Sequence, residues 1–176
     1  PGKLTLRISL DHFDRANHDT ERGKGAFDKT LQGMNWLRDV GIRMHVAGRT
    51  VWGDSEASSR AGYSALFAQN GYDIGAFNPS VTVLFPELDE RAEVPEITTA
   101  CWGILDKDPN SLMCASSRMV VKRKGAARPA VLACTLLAYD PQFELGATLA
   151  EASRPVALNH PHCAKFCVLG GAACSR

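Results

Sequence analysis

Leu4, Leu6, Ile8 and Leu10 alternate with Thr5, Arg7 and Ser9, the two-residue period of a strand. Asp11 continues the polar face of Arg7 and Ser9 at the C-terminal end of that strand. A polar stretch from Asp14 to Lys24 follows. Phe27, Leu31, Met34 and Leu37 then recur at helical spacing, and Gly41 closes the helix. Ile42 to Val46, alternating with Arg43 and His45, predicts a second strand. The Ala-rich segment from Ser55 to Gln69 predicts a second helix stopped near Gly71. Residues 73–77 and 81–85 are two further short strand candidates, divided by an Asn78-Pro79 turn.

Strands alternating with helices imply a parallel sheet or a barrel segment. Chemistry in such folds collects at the C-terminal strand ends, which singles out Ser9, Asp11 and the neighbourhood of Arg49 and Trp52. Three parallel strands alone would be poorly covered, so further strands are expected.

The pattern changes near Pro86. Residues 86–113 form a long connection with Pro86, Pro95 and Pro109, and hold Cys101 and Trp102. Arg118 to Lys124 and Ala130 to Leu137 predict a hairpin around Gly125-Ala126-Ala127. Cys114 would precede its first strand and Cys134 would lie inside its second. Gln142 to Ala152 reads as helical, and His162 to Val168 as a short helical turn before Gly170-Gly171. The expected division is 1–85 and 86–176, with no internal repeat.

Composition narrows the function. Twenty Lys and Arg against nineteen Asp and Glu leave +1 over 176 residues, so no global charge favours nucleic acid. The basic cluster of Arg118, Lys122, Arg123, Lys124 and Arg128 reads as a solvated face, able at most to attract an acidic peptide or substrate. No apolar run is long enough to cross a membrane, and no signal-peptide pattern is present. A soluble cytoplasmic protein is expected. The chain starts Pro1-Gly2-Lys3 and enters a strand pattern at once, so an upstream segment is also expected. Phosphate-binding, dinucleotide-binding and serine-hydrolase motifs are absent.

The six cysteines lie at 101, 114, 134, 163, 167 and 174. Three of them fall in the tail, where Cys163 and Cys167 would share a helical face. Gly170-Gly171 would let the chain turn and return Cys174 towards the same centre. Thiolates are soft ligands suited to iron–sulfur clusters, zinc or copper(I). Zinc competes because His160 and His162 adjoin Cys163, although the paired Cys-x2-Cys of structural zinc sites is missing.

Cys114, a strand, Gly125 at a turn and a returning strand with Cys134 resemble the Cys-hairpin-Cys opening of SPASM and twitch regions, which follow the barrel in radical SAM enzymes. Cys163, Cys167 and Cys174 would complete such a site. Arg7-Ile8-Ser9-Leu10-Asp11, Asn17-His18-Asp19 and Arg22 to Phe27 are similar to the fourth barrel strand and loop of the same family. Leu37, Gly41 and Ile42 continue the likeness. The intervals after Gly125 and after Cys167 depart from the usual patterns. Together the likenesses span most of the chain.

The resemblance implies an α/β fold: the C-terminal strands and helices of a partial (β/α)6 barrel, then a small α+β cluster region with a β-hairpin. It implies an auxiliary four-iron four-sulfur cluster on Cys114, Cys134, Cys163, Cys167 and Cys174, which are more thiols than one cluster needs. It also implies S-adenosylmethionine held by Ser9, Asp11 and Arg22 and shared with the upstream part. Implied partners are a peptide or small-molecule substrate and an electron donor such as flavodoxin or ferredoxin. The family's catalytic Cys-x3-Cys-x2-Cys is absent here, so this chain would be inactive alone. Two alternatives stand beside it: a non-catalytic zinc module using the C-terminal Cys and His residues, and a small acid–base enzyme using His45 and Asp11.

Overall fold

The computed structural model describes residues 3–170. It divides into two compact units, Pro1–Leu88 and Asp89–Arg176, close to the change of pattern at Pro86.

The first unit contains three parallel strands, β1 (Thr5–Ser9), β2 (Arg43–Arg49) and β3 (Thr82–Phe85), in the order β1-β2-β3. Arg7 pairs with His45, and Val46 with Thr82. Helices α1 (Arg15–Arg22) and α2 (Ala26–Asp39) connect the first two strands, and α3 (Glu56–Asn70) connects the next two. The described strands form an open sheet; they do not close a barrel. Strand β2 alternates as its sequence does, burying Met44, Val46 and Gly48. Phe27, Met34 and Leu37 of α2 join Tyr63 and Phe67 of α3 in the core against them.

Two expectations fail in this unit. The polar stretch from Asp14 contains a helix, α1, which buries only His18. Its cause is local: the Asp14 side chain accepts from the N–H groups of Ala16 and Asn17 and so caps the first turn. Residues 73–77 form no strand. Tyr72, Ile74 and Ala76 alternate inward, so the segment has a strand's side-chain period without a neighbouring ladder.

The second unit is built from short pieces. Helices α4 (Cys101–Ile104) and α5 (Met113–Ser116) precede an antiparallel sheet of β4 (Met119–Val121), β5 (Ala130–Leu132) and β6 (Glu144–Gly146), followed by α6 (Leu149–Ala152). The hairpin forms as expected, with Val120 opposite Val131. The helix expected over 142–152 does not form as one piece. A 3-10 turn over Pro141–Phe143, strand β6 and α6 replace it, and Gly146 bends between the last two at φ 132°. Phe143 and Leu145 are thereby buried with Val131 and Leu137. The tail forms a π-helical turn over Cys163–Val168. Among the described residues no helix is long and apolar enough to cross a membrane.

Candidate cofactor-binding and thiol sites

In the first unit, polar groups gather at the C-terminal ends of β1 and β2. Ser9 ends β1 and is exposed. Asp11 is only 3% exposed, and both its carboxylate oxygens accept from Arg22, one from Nε and one from Nη2, the latter at 3.1 Å. This fork geometry raises the Arg22 pKa through its hydrogen bond to Asp11. Arg22 remains 48% exposed at its side chain, and among the described residues nothing accepts from its Nη1. Asp11 thus positions Arg22, and Arg22 is the group presented outward. Arg49 donates to Glu21, while its backbone N–H donates to the Asp11 carbonyl at 2.8 Å.

The neighbouring His18-Asp19 pair is scaffolding. His18 is fully buried, and its Nδ1 accepts from the Asp11 N–H at 3.1 Å. Burial lowers its pKa, with Arg22 and His12 adding to the effect. Asp19 accepts from the N–H groups of Gly25 and Phe27 at the start of α2. Gly25 there has φ 79°, a left-handed conformation that suits glycine.

His12 is also buried, at a position no motif in the sequence marks. Its Nδ1 accepts from the Asp14 N–H at 2.9 Å, so its Nε2 carries the proton donated to Asp54 at 3.1 Å. Trp52 meets the same ring edge-on at 4.8 Å, whereas Arg49 turns to Glu21. The acid–base alternative does not assemble. His45 pairs with Arg7, and Asp11 lies four residues further along the sheet beside Arg49, a separation of about 13 Å at the rise of a strand.

In the second unit the fold brings Cys114, Cys134 and Cys163 into electrostatic range of one another. Each arrives from a different element: α5, the two residues beyond β5, and the start of the π-helical turn. Cys114 therefore lies in a helix, and Cys134 lies past its strand rather than inside it. Burial pushes the Cys163 thiol up to about 11, and Cys134 and Cys114 add to the effect. Burial also raises Cys114, as does Cys134, against the opposing charge of Arg118. The Leu136 N–H donates to Cys134 Sγ at 3.3 Å.

Cys167, four residues after Cys163, lies within electrostatic reach of Lys107. The Lys107 ammonium donates to the carbonyls of Cys167 and Val168 and so caps the end of the π-helical turn. No pattern in the 86–113 connection identifies that lysine. A Cβ on Gly170 would stand 2.5 Å from the Lys165 carbonyl oxygen, so close backbone approach requires glycine there. Cys174 and Gly171 lie outside the described residues. Cys101 is half-buried near the Glu96 carbonyl and Thr98.

By residue type the donor set suits a thiolate-bound centre, although burial holds Cys114 and Cys163 as neutral thiols, so a metal binding there would have to displace their protons. Around a single zinc, sulfurs bound at about 2.3 Å crowd close together. Among the described residues no three His, Cys, Asp or Glu side chains are grouped so as to hold a metal ion, whether zinc or iron. His162 is buried and its Nδ1 has no hydrogen-bond partner among them. Its ring instead meets His160 edge-on at 4.5 Å.

Comparison with family models, curated proteins and solved structures returned no match.

Proposed function

We propose that this chain is the C-terminal portion of a radical SAM enzyme, with S-adenosylmethionine at the β1–β2 strand ends and an auxiliary iron–sulfur cluster in the second unit. The observation that carries the reading is the convergence of Cys114, Cys134 and Cys163 from three separate elements. The sequential parallel sheet, with Ser9 and an Asp11-held Arg22 at its C-terminal end, supports it. When bound, the two groups supply one-electron chemistry and a cleavable sulfonium for modification of a peptide or small metabolite.

The chain's own residues have separable tasks. Ser9 offers a hydroxyl to a diol. Arg22 offers Nη1 to a carboxylate, its plane fixed by Asp11. Cys114, Cys134 and Cys163 supply thiolates, with Cys167 and Cys174 as further candidates.

Anaerobic reconstitution of the full chain with iron and sulfide tests this. Brown protein with four irons per chain is expected, and Cys114→Ala with Cys163→Ala should abolish the colour. A colourless protein holding stoichiometric zinc would overturn the cluster reading in favour of the zinc module.

A further inference from the structure

We infer that the second unit carries a binding site for a small organic carboxylate with an apolar body. A cavity of about 770 Å³ lies there, within the size range of small-molecule sites. Leu112, Leu149, Val156 and Trp102 form its apolar wall. Arg118 and Arg154 also line it, and no Asp or Glu does.

Arg118 is the informative residue. Its guanidinium donates to the carbonyls of Ala152, Cys114, Ser117 and Arg154, at 2.6–3.2 Å. Those four bonds lock its position, but a carbonyl carries no net charge, so the cation remains uncompensated. Among the described residues neither Arg118 nor Arg154 is paired with a carboxylate. Elsewhere on the hairpin Arg123, by contrast, is paired with a carboxylate, that of Glu144.

Two cations with no carboxylate among the lining residues of one open concavity favour an anion. The four carbonyls leave Arg118 one free Nη2–H, so Arg154 is the guanidinium that can match a carboxylate in plane and spacing while Arg118 adds charge and one bond. Inorganic phosphate would satisfy the charge but leave the apolar wall unused. The ligand is thus a carboxylate whose hydrocarbon part lies against Leu149 and Trp102. Cys114 shares the cavity wall, which places this ligand beside a thiol of the cluster set. The cations and the wall exist whether or not those thiols hold iron, so the inference stands apart from the cluster assignment.

Calorimetric titration of the full chain with 3-phenylpropionate, 3-phenylpropionamide and phosphate tests it. The carboxylate should bind, the amide at least tenfold more weakly, and phosphate should not displace it. Arg154→Gln, an exposed position, should weaken the carboxylate about tenfold and leave the amide unchanged. Leu149→Ser should weaken both. Equal binding of acid and amide, displacement by phosphate, no binding at all, or an Arg154→Gln protein that binds normally would each overturn the proposal. Circular dichroism of both variants separates lost binding from lost folding.

Discussion

The Asp19 carboxylate accepts from the Gly25 and Phe27 N–H groups at 2.8 Å each, satisfying donors that the first turn of α2 cannot satisfy internally. Those bonds lower its pKa from the ordinary 3.8. The folded chain therefore binds this proton less readily than the unfolded one. The stabilisation is present above about pH 4 and is lost as pH falls through the lower folded value. In urea unfolding, Asp19→Asn should be less stable than the wild type at pH 6, and the gap should narrow by pH 3. A gap that stays constant across that range would remove Asp19 from this role. At the same scale, the sequence marks Asp11 as a cofactor contact but hides its partner. Its place on the polar face of β1 was visible in the alternation. That Arg22 would occupy both of its oxygens depends on how α1 folds back, and no periodicity encodes that.

At the scale of elements, β2 and α3 meet where Gly48 lies under Tyr63. A Cβ on Gly48 would stand 2.1 Å from the Tyr63 hydroxyl oxygen, which itself donates to the Leu10 carbonyl at 2.7 Å. Gly48→Ala should cost about 1–3 kcal/mol in urea unfolding. Tyr63→Phe removes the clashing oxygen, so the double variant should lose less than the two single variants together. Strict additivity would mean that strand and helix do not press on each other there. Elements with a strong apolar period were legible in sequence: β1, α2, β2, α3 and the hairpin. Those defined by other forces were not. Helix α1 has almost no apolar face and exists through its Asp14 cap and its tertiary setting. Strand β6 looked helical because Phe143 and Leu145 bury on a two-residue period too short to distinguish from a turn. The thiol site was legible in its residue types and grouping. The positions of Cys114 in a helix and Cys134 beyond a strand, and the Lys107 cap, arise from long-range packing.

The molecule as a whole is two units that divide between Leu88 and Asp89, inside the stretch 86–100, which has turns but neither helix nor strand. Glu87, Glu90, Glu93 and Glu96 all fall in it, while Glu21, Glu56, Glu144 and Glu151 belong to helices or strands. A glutamate-specific protease should therefore cut first between 87 and 96, giving two fragments by mass spectrometry. First cuts at Glu21 or Glu144 would show that the units are not separately closed.

The two units also hold themselves together differently. The first has a continuous core beneath long helices. The second has no described element longer than six residues, and such short pieces contribute little stability of their own. Its gathered thiols acquire a further meaning in terms of chain statistics. Whatever bridges Cys114, Cys134 and Cys163 closes two loops in the unfolded chain as well as filling a site. On the loop-entropy model, each closure removes disorder worth about 3 kcal/mol from the unfolded state. If this half of the protein holds the proposed cluster, loading the thiols and completing the fold become one equilibrium.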